Sequence, residues 1–299
     1  MKKSLQIPYG DTHLDFNLPE ENFVEFLPPN EVALPESEEE EIQSSLDEPF
    51  GLQPIERLVD PSSQITILCE DNTRHAQTDK MIAHLVERLG SADISDEQIE
   101  IVFALGTHRK MSEAEQKEKI GPELFNRFKV RNSKNQDPQD LKYLGEAPGG
   151  VRVWVDSDVY ESDFIVGVGS IVPHPAAGYT GGAKIIYPGI VGQGTVSQFH
   201  LLSASIGNLI GVENNQAREA MESWVETVGL DYIVNAVVSP QNEIYRVVSG
   251  DYVKAHREGT RFAREIYGIK AQQEVDMAIV SSHTADLDFW QAGNGITNC

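Results

Sequence analysis

Twice in this chain a short apolar run ends in a polar tip and is followed by a helical pattern. Gln64–Glu70 (QITILCE) leads into Asp71-Asn72-Thr73-Arg74, and a helix is expected over Thr78–Leu89. Ile99–Leu105 (IEIVFAL) leads into Gly106-Thr107-His108-Arg109, and Ser112 with Glu115 makes an S-x-x-E capping pattern for the next helix. Apolar runs of this length read as buried strands. Strand, tip and helix in alternation predict an α/β protein with a Rossmann-like, doubly wound parallel sheet. Ligands of such sheets bind beyond the carboxyl ends of the strands, so topology alone puts Asp71, Arg74 and His108 where function sits.

The remaining pattern fits around that unit. Leu5–Pro8 and His13–Phe16 read as strands about the turn pair Gly10-Asp11. The acidic run from Glu38 opens a surface helix, Glu38–Leu46, because negative charge suits a helix N-terminus. Val151–Val155 and Phe164–Val168 read as strands. A helix is expected to start near Ser197 and to carry His200 in its first turn. Gln216–Thr227 reads as helix, Tyr232–Val238 and Glu243–Val248 as a hairpin, and Asp251–Tyr267 as a helix stopped by Gly268. Val275–Val280 reads as one more buried strand, ending near His283. The boundary is placed at 268–273, giving residues 1–270 as an N-terminal catalytic and cofactor-binding domain. Residues 271–299 would open a second, apparently truncated α/β domain.

Composition removes several classes of function. A net charge of −23 argues against a nucleic-acid partner, and any anion site must supply its own local positive charge. No apolar run approaches the roughly eighteen residues of a membrane span. The N-terminus has two lysines but no apolar signal core, and Cys69 and Cys299 make no disulfide framework, so a cytoplasmic protein is expected. Cys69 reads as a small core residue.

The densest chemistry lies in Ile171–His200, which holds His174, Lys184, His200 and glycines at 178, 181, 182, 189, 192 and 194. Glycine lets backbone approach a ligand closely, and imidazoles serve as proton carriers or metal ligands. The P-loop pattern fails here in spacing and in its hydroxyl. A nicotinamide site lacks its G-x-G-x-x-G turn. A zinc-dependent hydrolase built on His108, His174 and His200 is one alternative. His13, His75, His84 and His256 read as surface residues.

Taken together, Asp71-Asn-Thr-Arg74, Gly106-Thr-His108-Arg109, His174-Pro-Ala-Ala-Gly-Tyr-Thr-Gly-Gly-Ala-Lys184, His200 and Asp288-Phe-Trp-Gln291 resemble the nickel-dependent lactate racemase family of 2-hydroxyacid racemases and epimerases. The resemblance implies a nickel-pincer nucleotide, pyridinium-3,5-bisthiocarboxylic acid mononucleotide, covalently bound to Lys184. It implies nickel coordination by His200, acid/base roles for His108 and His174, and contact of Asp71, Gly181 and Gly182 with the cofactor. Arg74 and Gln291 would bind the substrate, together with Asn294. Lactate racemases carry a lysine where this chain has Asn294, so the expected substrate is a 2-hydroxyacid other than lactate. Cofactor-synthesis proteins are implied partners. A member that binds nucleotide or hydroxyacid without turnover is the second alternative.

Overall fold

The computed structural model describes residues 1–9, 12–74 and 76–281. An antiparallel hairpin, β1 (Lys2–Tyr9) and β2 (Thr12–Pro19), precedes the first helix, α1 (Glu38–Asp47). Ser37 caps α1 by accepting the Glu40 amide, and four glutamates fill its first turn, as the helix dipole favours. The repeated unit follows: β3 (Ile65–Glu70), α2 (Thr78–Ser91), β4 (Ile99–Ala104), α3 (Glu113–Arg127) and β5 (Lys129–Asn132). The Ser112/Glu115 capping box forms as its spacing predicts. A second hairpin, β6 (Leu141–Ala147) and β7 (Val151–Asp156), leads through a short helix, α4 (Ser157–Tyr160), to β8 (Phe164–Ser170). The two-residue strands β9 (Pro173–His174) and β10 (Gly178–Tyr179) come next, then α5 (Gln193–Ile206) and α6 (Gln216–Val228). The hairpin β11 (Tyr232–Val238) and β12 (Ile244–Gly250) precedes α7 (Lys254–Tyr267).

The central sheet has six strands in the order β12-β11-β8-β3-β4-β5. All neighbours are parallel except β11 and β12. Successive side chains of a strand point to opposite faces, so the sheet feeds two cores. Ile65, Ile67, Cys69, Ile101 and Phe103 join one, with Leu46 of α1, Leu85 of α2 and Leu124 of α3. Leu68, Val102, Ile165 and Ile233 join the other, with Trp224 of α6, Ile266 of α7 and Val153 of β7. Burying each such side chain contributes about 1.5–3 kcal/mol against leaving it wet. Cys69 is buried, as expected.

The order of strands fixes where the crevice lies. From β3 the chain steps outward to β4 and β5, then returns to lay β8 on the other side of β3. The loops leaving β3 and β8 therefore diverge, and a gap opens beyond their carboxyl ends. At the far edge α1 closes the sheet. Its Glu38 and Glu41 carboxylates accept the Ile244 and Val247 amides of β12, 3.1 and 3.0 Å away, and its Ser45 carbonyl accepts the Ser249 hydroxyl.

Two expectations are corrected. Val275–Val280 forms no strand, and Val275, Met277, Ile279 and Val280 are exposed. An apolar run becomes a buried strand only against a partner edge, and none pairs with it among the described residues. Helix α5 begins at Gln193, so His200 sits two turns in. Gly194 and the β-branched pair Thr195 and Val196 are weak helix formers, but tertiary contact outweighs propensity here. The Thr195 hydroxyl donates to the Arg152 carbonyl and accepts the Trp154 amide, which ties that first turn to β7.

Candidate active site

The floor of the crevice is one carboxylate. Glu70, at the end of β3, accepts the Ser170 amide (2.8 Å) and hydroxyl (2.7 Å) through Oε2. Its Oε1 accepts from Lys119 Nζ (3.1 Å) and the Ala76 amide (3.3 Å). Lys119, on α3, also donates to the carbonyls of Arg74 and Ala76. The pair thus straddles the reversal point and fixes both ends of the 71–76 tip. Sequence reading missed both residues. The available signal was an acid placed at the end of a buried strand.

Asp71 is 3% exposed. Its Oδ1 accepts from the Thr73 amide and hydroxyl, and Oδ2 meets His108 Nδ1 at 2.5 Å. Burial pushes this carboxyl up, but the His108 and Thr73 hydrogen bonds and the Arg74 charge outweigh it and hold it below the usual carboxylate range. The Arg74 guanidinium donates to the Thr73 carbonyl at 3.0 Å. The tip that carries His108 is held in turn by Gly106, whose amide donates to the Gly189 carbonyl at 2.8 Å.

The opposite wall comes from the segment after β8. His174 lies on β9, and its Nδ1 accepts the Ala176 amide at 3.1 Å. Burial, with the charges of Lys184 and Arg74 added, lowers its pKa well below the ordinary histidine value. Lys184 sits in the short turn Gly182–Ile185. Burial and the Arg74 and Arg218 guanidinium groups bring its ammonium down to about 7. His200 on α5 is also lowered, by burial and by Lys184.

Asp71, Arg74, His108, Gly181, His174, Lys184 and His200 all line one cavity of about 650 Å³. That is within the range of small-molecule sites. Gly182 does not line it. Gly182 is buried at φ +57°, and a Cβ there would lie 2.9 Å from the His256 ring. Gly181, at φ +74°, would press a Cβ on Asn235 Oδ1 at 2.8 Å. Both glycines are required by close packing against the protein's own groups.

Those groups include two that sequence reading misplaced or passed over. His256 is 1% exposed rather than on the surface, and its Nε2–H donates to the Thr180 carbonyl at 2.9 Å. Arg218 is fully buried and donates to the carbonyls of Ala177, Tyr179 and Gly181. Together they hold the loop before Lys184 from beneath. A lone histidine and an arginine on an amphipathic helix give no sequence signal of this. His108, His174 and His200 share the cavity, but among the described residues no three His, Cys, Asp or Glu side chains converge as a metal-binding group. This removes the three-histidine zinc centre. Gln291, Asn294, His75 and His283 lie outside the described residues. No described helix is long and apolar enough to cross a membrane.

The fold and the cavity define a mixed α/β protein with imidazoles, a guanidinium and an amine gathered where the order of its parallel strands reverses. The domain family described as the lactate racemase N-terminal domain matches residues 9–209. The chain belongs to the lactate racemase family. It is similar to the lactate racemase of Thermoanaerobacterium thermosaccharolyticum, 29% identical over 98% of this chain and 70% of that protein. It is also similar to the lactate racemase of Lactiplantibacillus plantarum, 27% identical with the same coverage. The structure of the lactate racemase apoprotein from T. thermosaccharolyticum superposes with a TM-score of 0.90 at 26% identity, over 99% of this chain and 70% of that one. A Thermotoga maritima protein shares the fold, with a TM-score of 0.64 at 23% identity over 76% of this chain and 59% of that one.

Proposed function

We propose that this protein is a racemase or epimerase of a 2-hydroxyacid that works with a nickel-pincer nucleotide held on Lys184. On this reading the sheet is Rossmann-like and doubly wound, residues 1–270 form the cofactor-binding domain, and 271–299 open a second one. The protein works in the cytoplasm and receives its cofactor from dedicated synthesis proteins. The observation that carries the proposal is a cavity-lining lysine with its pKa lowered to about 7 beside two neutral imidazoles.

The residues present fit the cofactor. An uncharged amine is the form that can be acylated to a thioamide. His200, with its lowered pKa, keeps a lone pair for a metal. No three-donor protein group converges among the described residues, and on this reading the remaining donors come with the cofactor. When bound, the cofactor would supply an electrophilic hydride acceptor and donors for nickel beside His200.

The chain's own side chains do the rest. Removing the α-hydrogen as a proton would put a second negative charge beside the substrate carboxylate, so the hydroxyl proton is the one a base takes. His108 and His174 hold or move that proton on opposite faces. Arg74 pairs with the carboxylate, supplying local positive charge in a chain of −23. Asn294 in place of a lysine would add a hydrogen bond without charge, which favours a longer or more hydroxylated acid than lactate.

The test is peptide mass spectrometry on Lys184 with metal analysis, on protein produced alongside a cofactor-synthesis system. An adduct on Lys184 plus nickel is expected, and an unmodified lysine under those conditions would defeat the proposal. His200→Ala should lose nickel and keep the adduct. A loaded enzyme that prefers lactate to sugar acids would remove the substrate assignment alone.

A further inference from the structure

We infer that Arg218 is a positioning residue for both His174 and Lys184, because it makes the strap between them, residues 175–181, one rigid unit. Every carbonyl of that strap is taken. Those of Pro175 and Gly178 accept the Leu209 and Gly211 amides, at 2.9 and 3.0 Å. The Ala176 carbonyl accepts the Ser203 hydroxyl at 2.8 Å, and the Thr180 carbonyl accepts His256 Nε2–H at 2.9 Å. The other three, of Ala177, Tyr179 and Gly181, all accept from the one guanidinium of Arg218. These are alternate residues, so a single planar fork spans the strap from end to end. All of these partners belong to the chain itself, so the strap needs no ligand to be set.

Both ends of the strap reach cavity side chains. At one end the His174 ring is tied in, since its Nδ1 accepts the Ala176 amide at 3.1 Å. At the other, the Gly181 carbonyl accepts from Arg218 at 3.1 Å and from the Lys184 amide at 3.2 Å, so one oxygen joins guanidinium to lysine. The fit is close: at Gly178, φ +78°, a Cβ would lie 2.0 Å from the Val212 carbonyl oxygen. A buried charge is costly unless its donors are met, and here carbonyls meet them. Glu222, whose charge favours that of Arg218, is itself paired with Arg257 at 2.8 Å. Burial lowers Arg218 to about 10, which leaves it cationic at neutral pH and its bonds to the strap charge-assisted. A lysine at this position keeps the charge but, as a compact ammonium, cannot span the three carbonyls.

The chemical consequence rests on the proposed hydroxyacid reaction. There His174 moves a proton at the substrate and Lys184 holds the cofactor, so the strap sets the distance between the two. A misplacement of about 1 Å between reacting groups can cost on the order of a hundred-fold in rate. Helix α5, which carries His200, is fastened to the same strap through Ser203. Arg218 thus acts through other residues and touches neither substrate nor cofactor.

The test is hydrogen exchange followed amide by amide in the apoprotein, which reads the strap without the reaction. The amides of Ala177, Thr180 and Gly182 donate to the His174 carbonyl, the Val172 carbonyl and Asn235 Oδ1, and they report on the strap. Amides of the β3–β4 pair report on the sheet. In Arg218→Lys the strap amides are expected to exchange roughly ten-fold faster, measured relative to the sheet amides, than in the unaltered protein. Acceleration of strap and sheet by the same factor, or none at all, overturns the inference. Should Arg218→Lys fail to fold, Ser203→Ala decides, because it removes one anchor only. All three strap amides should then speed up by a similar factor, and no change, or a change confined to Ala177, overturns the single unit. In loaded enzyme, Arg218→Lys should lower kcat roughly ten-fold with KM held within about two-fold, and a raised KM with kcat kept would remove the catalytic consequence. A selectively loosened strap in a protein that turns over no hydroxyacid would sustain the positioning role and sink only the proposed reaction.

Discussion

An amine with a pKa of about 7 is half uncharged at neutral pH and so behaves unlike an ordinary surface lysine. Lys184 should therefore be acylated before the other lysines when the apoprotein meets a limiting amount of an amine-reactive ester near pH 7.5, as read by peptide mass spectrometry. The same shift couples to stability. Its folded pKa, about 7, lies below the ordinary 10.5, so between these values the folded state binds fewer protons than the unfolded state. This group's contribution to stability therefore rises with pH across that window. Lys184→Met should flatten the dependence, seen by comparing urea unfolding at pH 7 and pH 9 in both proteins. At this scale the sequence was informative where glycine and strand ends flag a residue, as at His108, His174 and Lys184. It was silent on Glu70, Arg218 and His256, whose partners lie far along the chain: Ser170 is 100 residues from Glu70, and Gly181 is 37 from Arg218.

Among the elements, α3 has a task beyond covering the sheet. Through Lys119 it clamps the tip after β3, and both members of the Glu70–Lys119 pair are nearly buried. Breaking one side of a buried pair typically costs about 3–5 kcal/mol, since the other charge is stranded. Lys119→Met should lower the urea midpoint accordingly with the slope unchanged. Adding Glu70→Gln should recover part of the loss, because the stranded charge is gone. The repeated strand–tip–helix unit made β3, α2, β4 and α3 legible. The short strand β5 was not, because its KVRN sequence alternates charge with little apolar signal. The start of α5 was hidden for a different reason, since contacts with β7 rather than local propensity decide it.

For the molecule as a whole, the net charge of −23 sets a background of self-repulsion. Raising NaCl from about 0.01 to 0.15 M shortens the Debye length from roughly 30 to 8 Å and should raise the Tm, as followed by calorimetry. A fall in Tm would mean that specific ion pairs such as Arg131–Asp156 outweigh the general repulsion. The seating of α1 on β12 has a consequence in time. Glu38 and Ile244 are 206 residues apart. At synthesis rates of 5–20 residues per second, a ribosome needs roughly 10–40 s to make the second after the first. For that interval the apolar face of Ile42 and Leu46 has no finished sheet to cover. The depressed pKa of Lys184 exists only once the segments that bury it have folded, so on the proposed reading attachment at Lys184 would come after that folding.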